Sequence, residues 1–310
     1  MYQLQPQIAK ELVINWHITE ACNYSCRYCY AHWSKPNRQR DIIHDESHTR
    51  ALLTELHKFF RPENPSNPLR KYMRWPSVRL NIVGGEPLLY HKKVLAVVTL
   101  AREMGMDVSL ITNGSELSVP LMRNIAPHLT ILGLSLDSAD IATNRRIGRF
   151  DSKGVILAAV DTCAILNEGR LTNPMMQVKI NTVVNSMNCD EDMTSLIQMT
   201  KPDRWKVFRM LPVLNNTLAV SQSDFDGFVN RHRLLDTVMC VEDHADMTES
   251  YIMIDPSGRF FQNATTPRQL GYCYSSSILS VGAEEAFTSL NFYPDKFLAR
   301  YDQDKTEVLV

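Results

Sequence analysis

Cys22, Cys26 and Cys29 fall within eight residues, in the pattern C-x3-C-x2-C, and Tyr30 follows directly. Three thiolates on one tight loop can each ligate one iron of a cubane and leave the fourth iron without a protein ligand. An open coordination position is what a catalytic metal keeps, whereas a structural site is closed. The competing reading is structural zinc, because His32 lies three residues past Cys29 and His17 is near, giving a possible Cys3His set. The other four cysteines, Cys163, Cys189, Cys240 and Cys273, are scattered singly. An odd total of seven without a secretory signal argues for reduced thiols and one metal site, not a disulfide framework.

A second unusual motif is Gly84-Gly85-Glu86-Pro87. A glycine pair at a strand end lets the backbone approach a ligand closely. Glu86 can accept from an ammonium, such as the amino group of S-adenosylmethionine (SAM), whose amino and carboxylate groups suit a vacant iron. Taken alone, the motif reads more readily as an ordinary turn before a helix with Pro at its first position.

These motifs need a scaffold that brings them together. Short β-rich runs are expected at Leu12–Thr19, Val78–Val83, Asp107–Thr112, Thr130–Asp137, Met176–Val184 and Asp203–Leu211. Each is followed by a segment long enough for a right-handed crossover. A helix is predicted from about Asp45 to Phe60, with Asp45 as N-cap and Leu52, Leu53, Leu56, Phe59 and Phe60 at helical spacing. Six βα units in a row predict an α/β fold, an open, partial (β/α)6 barrel; a doubly wound sheet is the alternative. In barrels of this kind the chemistry sits at the C-terminal ends of the strands. The cysteines, GGEP, Thr112-Asn113-Gly114 and Asp137-Ser138 all fall there. Beyond about Ser250, Tyr251–Ile254, a Pro256-Ser257-Gly258 turn and Arg259–Gln262 read as a hairpin.

Alternation along strands selects a further set. Lys179 and Asn181 are two apart and share a face, as do Arg204 and Lys206, and Arg79 with Asn81 and Val83. If those faces look inward, three strands each put a cation inside, with no acidic residue on the same faces. Buried Lys and Arg are rare unless paired, and a polyanionic ligand would balance them. A register shifted by one would instead turn them to solvent.

The bulk numbers constrain the partners. In 310 residues, 44% are apolar and 22% charged, a globular composition with a formal net charge of -1. That offers no basic footprint for nucleic acid. The N-terminus lacks a basic segment followed by an apolar one, and no run reaches the roughly 20 residues of a membrane span. A cytoplasmic protein without a membrane anchor is expected.

CNYSCRYCY at residues 22–30, with GGEP, resembles the signature of the radical SAM superfamily. The resemblance implies a [4Fe–4S] cluster on Cys22, Cys26 and Cys29, and SAM as the second cofactor. It also implies a SAM site that includes Tyr30, Gly84, Gly85, Glu86, Thr112, Asn113 and Ser135. An electron donor such as a flavodoxin or ferredoxin would feed the cluster. Residues 179–208, with Arg145–Arg149, Ser250–Ile254 and residues 278–286, resemble the viperin-like enzymes within that superfamily. Those enzymes take the ribose 4′ hydrogen of a nucleoside triphosphate and eliminate water. The product, a 3′-deoxy-3′,4′-didehydro nucleotide, terminates chains in antiviral defence.

By that resemblance Arg79, Lys179, Arg204, Lys206 and Arg149 contact phosphate and Asn181 addresses the ribose. Tyr251 delivers the hydrogen that completes the reduction; its own sequence context reads simply as a half-buried strand tyrosine. A core over residues 1–235 and a C-terminal extension over 236–310, packed as one unit, are expected. Base preference is expected to rest on loop contacts around 262–275. There are departures from the pattern: Arg79 stands where Lys is frequent, and Val83 where Ser is frequent. The loop 61–77 looks longer than in the animal proteins. The animal proteins' amphipathic membrane anchor and tryptophan-ended tail have no counterpart, so neither membrane location nor a tail-mediated partnership is expected. A radical SAM enzyme acting on a peptide, or a zinc module, are the other readings.

Overall fold

The computed structural model describes residues 6–30, 41–154, 156–213, 216–263 and 272–302. In chain order the strands are β1 Gln7–Ile8, β2 Leu12–His17, β3 Met73–Arg74, β4 Val78–Val83, β5 Asp107–Thr112, β6 Ile131–Ser135, β7 Gln177–Val184, β8 Arg204–Arg209, β9 Met239–Glu242, β10 Ile252–Ile254, β11 Arg259–Asn263 and β12 Tyr272–Ser277. β1 and β3 form a two-stranded ribbon; the rest make one sheet of ten strands in the order β12-β11-β10-β2-β4-β5-β6-β7-β8-β9. The six strands expected from the sequence are its centre. They run parallel and lie side by side in chain order. A doubly wound sheet reverses strand order near its middle, and this one does not. The sheet is that of a partial α/β barrel.

Helices α1 Glu46–Phe60, α2 His91–Glu103, α3 Val119–Ile125, α4 Ile141–Ile147, α5 Ala159–Thr172, α6 Thr194–Thr200 and α7 Gln222–Arg231 fill the crossovers. α1 starts where the capping residue puts it, with the Asp45 carboxylate accepting from the His48 N–H at 3.0 Å. Its apolar face, Leu52, Leu53, Leu56, Phe59 and Phe60, is buried in the main core together with Leu12, Ile14 and Trp16 of β2. Each such side chain contributes about 1.5–3 kcal/mol by leaving water, and this contact fixes the strand that carries the cysteine loop.

The chain after residue 235 adds to both edges of the sheet. β9 pairs with β8, whereas β10 pairs parallel to β2 and antiparallel to β11, forming the expected hairpin. A final helix, Pro294–Asp302, follows. No helix among the described residues is long and apolar enough to cross a membrane.

Candidate functional site

A cavity of about 290 Å³ lies inside the barrel and reaches its C-terminal rim. Cys22, Cys26 and Cys29 line it at that rim, as do Tyr30, Gly84, Gly85, Thr112, Asn113 and Ser135. Arg79, Lys179, Asn181, Arg204, Lys206, Arg149 and Tyr251 line it as well. Of the residues expected to bind a cofactor or substrate, Glu86 does not line it.

The glycine pair and Glu86 lock the cysteine loop to its neighbours. Gly84 has φ +146°, and a Cβ on Gly85 would stand 2.2 Å from the Ala21 carbonyl oxygen. The Gly85 N–H donates to the Thr19 carbonyl and the Glu86 N–H to the Ala21 carbonyl, both at 2.8 Å. The close approach expected of the glycines is therefore made first to the chain entering the cysteine loop. The Glu86 carboxylate is buried and accepts from Leu88 N–H at 2.9 Å, Thr112 Oγ1 at 2.7 Å and Asn113 N–H at 2.7 Å. Burial, the largest influence, pushes its carboxyl up to about 7 in spite of those donors. Three donors leave this carboxylate capacity for one more, so the expected ligand ammonium is compatible with these bonds. Its oxygens hold the β4 and β5 ends together from behind the cavity wall. Asn113 in turn donates through Nδ2 to Asn23 Oδ1 at 3.0 Å, within the cysteine loop. Tyr30 is 44% exposed, and its carbonyl accepts from the Tyr272 hydroxyl at 2.9 Å.

Arg149 lines the same cavity near its cysteine end. Its guanidinium donates to the Ser135 carbonyl, to Tyr28 Oη at 3.1 Å and to Asp137 at 3.3 Å, and sits 4.0 Å from Cys26 Sγ. The Tyr28 hydroxyl bonds the same Asp137 carboxylate. Through these bonds Arg149 braces the cysteine loop against β6.

Deeper in the barrel the alternation is as expected. Lys179 pairs across from Arg204, and Asn181 from Lys206, so the cations of β7 and β8 project side by side into the cavity. Gly133 of β6 lies opposite Lys179, and a Cβ there would meet Lys179 Cε at 3.3 Å. The missing side chain makes room for that lysine. Burial first, then Lys206, Arg79 and Arg204, push the Lys179 ammonium well below the usual lysine range.

The cage is not free of acid, contrary to the reading of the faces alone. Arg79 is held by Glu11 at 2.6 Å, Lys206 by Glu242 at 2.5 Å, and Arg209, another cation of the wall, by Asp243 at 3.4 Å. Glu11 lies one residue before β2 and Glu242 ends β9, neither of which the strand patterns placed. Arg300, from the final helix, also pairs with Glu242. Seven cations, Arg79, Arg149, Lys179, Arg204, Lys206, Arg209 and Arg300, line the cavity against the carboxylates of Glu11, Asp137, Glu242 and Asp243. The positive excess persists among the described residues.

The cysteine end fits an iron–sulfur cluster. Burial pushes the Cys22 thiol up to about 11 and Cys26 to about 12, so thiolates here require a cation's charge. Among the described residues no three His, Cys, Asp or Glu side chains converge on a single ion. His17 is buried and held down at about 3, a neutral ring. His32 lies outside the described residues, as do 264–271 of the loop expected to read the base. A cubane takes one thiolate per corner and so tolerates sulfurs spread around one rim.

The radical SAM superfamily profile matches residues 16–192. S-adenosylmethionine-dependent nucleotide dehydratases from Pseudoalteromonas ulvae and Psychrobacter lutiphocae are each 40% identical over 94% of this chain, covering 93% and 95% of their own lengths. The RSAD2 nucleotide dehydratase of Siniperca chuatsi is 29% identical over 93% of this chain and 77% of its own. In structure the chain resembles anSMEcpe with bound AdoMet and Cp18Cys peptide, with TM-score 0.62 at 14% identity over 93% of this chain and 83% of that one, a likeness of fold alone. With the profile spanning more than half of the sequence and two relatives at 40% identity over nearly all of it, the chain belongs to the radical SAM superfamily, in its viperin-like branch of nucleotide dehydratases.

Proposed function

We propose that this enzyme dehydrates a nucleoside triphosphate, taking the ribose 4′ hydrogen and expelling the 3′ hydroxyl as water to give a 3′-deoxy-3′,4′-didehydro nucleotide, a chain terminator in antiviral defence. The observation that carries the reading is one cavity with three thiols at its rim and an excess of cations on its inner wall. When bound, the cluster and SAM supply a 5′-deoxyadenosyl radical that abstracts hydrogen, fed by a flavodoxin- or ferredoxin-class donor. The protein's own part is to orient and exclude. Cys22, Cys26 and Cys29 hold the cluster, and the rim residues Tyr30, Gly84, Gly85, Thr112, Asn113 and Ser135 border SAM. Arg79, Lys179, Arg204 and Lys206 grip phosphate oxygens, and Asn181, whose buried Oδ1 has no hydrogen-bond partner among the described residues, addresses the ribose. Tyr251 delivers the hydrogen that completes the reaction. A peptide substrate would leave the cation excess without a counter-charge. Cys240 and Cys273, the late cysteines, lie on β9 and β12, at opposite ends of the strand order.

Reconstituted protein with SAM, a reductant and each of the four ribonucleoside triphosphates in turn should release 5′-deoxyadenosine. A nucleotide lighter by one water should appear by mass spectrometry. If no triphosphate raises 5′-deoxyadenosine above background, the substrate is wrong. A second expectation arises from Gly133. Gly133→Val presses on the Lys179 stem, and its KM for the triphosphate should rise about tenfold, a misplacement cost, with iron content kept. An unchanged KM would show that the lysine does not depend on that space.

A further inference from the structure

Glu242 is 2% exposed and touches three side chains that reach the cavity. Its Oε1 accepts from Lys206 Nζ at 2.5 Å, and its Oε2 accepts from an Arg300 N–H and from the Tyr251 hydroxyl at 3.5 Å. Burial works to raise this carboxyl, but Arg300 and Lys206 outweigh it and hold it at about 2, so it stays ionised at neutral pH. Arg300 places its guanidinium carbon 3.5 Å from the centre of the Tyr251 ring. The same guanidinium donates to the Asp246 carbonyl at 2.6 Å and the Ser250 hydroxyl at 3.3 Å. The Tyr251 carbonyl is fixed separately by Gln262 Nε2 at 2.5 Å.

We infer that Glu242 and Arg300 are positioning residues for Tyr251, the guanidinium holding the ring by one face while the carboxylate holds the hydroxyl. This rests on the nucleotide reading above. A tyrosine side chain has two torsions to fix, and a ring-face contact with a hydroxyl contact constrains both. The step it prepares is balanced. The phenolic O–H turns from Glu242 to the substrate and breaks, and its proton leaves with the ribose 3′ hydroxyl as water. Its electron joins the unpaired ribose electron to form the 3′,4′ double bond. Tyr251 is left as a neutral phenoxyl, restored by one electron from the flavodoxin- or ferredoxin-class donor and one proton from solvent. A cation against the ring face opposes loss of an electron without the proton, so the pair favours delivery of both together. Lys206 shares the carboxylate, which ties the group that holds phosphate to the group that delivers hydrogen.

The test reads two products separately in anaerobic turnover of the reconstituted full chain with SAM and a triphosphate. The native enzyme should yield 5′-deoxyadenosine and dehydrated nucleotide in equal amounts. In Glu242→Gln the nucleotide should fall roughly tenfold to a hundredfold below the 5′-deoxyadenosine formed, and Glu242→Asp should restore part of the balance. A merely structural role lowers both together and leaves their ratio unchanged, and that result overturns the inference. Glutamine leaves two buried cations without a counter-charge. If that variant does not fold, Arg300→Lys, which keeps the charge and loses the planar guanidinium, decides on the same ratio. A native enzyme inactive on every triphosphate overturns the nucleotide reading and the inference with it. Equal yields in the variants, with the native enzyme active, overturn the positioning alone.

Discussion

Cys26→Ala should leave an anaerobic column almost colourless, without its iron, and SAM cleavage should drop to background. Each thiolate holds one corner of the proposed cubane, so losing one removes one of its three protein ligands. Cys26 has no core duty that would confuse the result. It lies outside the main apolar core, on a loop tied down by Ser25 and Arg27 N–H bonds to the carbonyls of Gly148 and Ile147. The far-ultraviolet circular dichroism of the variant should therefore match the native protein. Full iron occupancy in Cys26→Ala would remove the cluster from this loop. Cys22→Ala and Cys29→Ala should behave alike, because no corner is privileged.

The second large effect belongs to Lys179. Lys179→Met should weaken triphosphate binding by roughly 30- to 150-fold, the equivalent of about 2–3 kcal/mol for a charge-assisted contact. Iron content and thermal stability should be kept or improved, since a buried ammonium facing three like charges is relieved. The native lysine also predicts a pH dependence whose sign is fixed. Burial, Lys206, Arg79 and Arg204 disfavour its charged form in the empty cavity. A polyanion favours that form, so binding takes up a proton and affinity must fall as pH rises above the depressed lysine value. Titration calorimetry in two buffers of different ionisation heat would count the proton. Equal apparent enthalpies in both would refute the linkage.

Much of this site was written in local patterns. Period-two alternation put Lys179, Asn181, Arg204 and Lys206 on inward faces, because hydrogen-bonded strands buried on one side have no freedom to slip. The observed β4 and β5 begin and end where the sequence suggested, and α1 begins after its capping aspartate. What failed to show was long-range. Glu11 precedes a strand and Glu242 ends a short one, so neither belongs to a recognisable alternating face. Arg300 sits on a polar helical segment whose docking place no local pattern encodes. Arg149 entered only as a phosphate contact implied by the resemblance; its bonds to Asp137 and Tyr28 were not visible in any local pattern. That Glu86 ties the β4 and β5 ends together was hidden because Thr112 and Asn113 lie 26 and 27 residues away.

The two edges of the sheet hold a consequence for how the protein comes into being. Glu11, which neutralises Arg79, and Arg300, which shares Glu242 with Lys206, come from nearly opposite extremes of the polypeptide. The inner wall thus acquires its charge balance only when distant segments have docked, a contact pattern that makes assembly slow and strongly cooperative. A partly unravelled chain therefore exposes a cationic trough before Glu11 and Glu242 are in place.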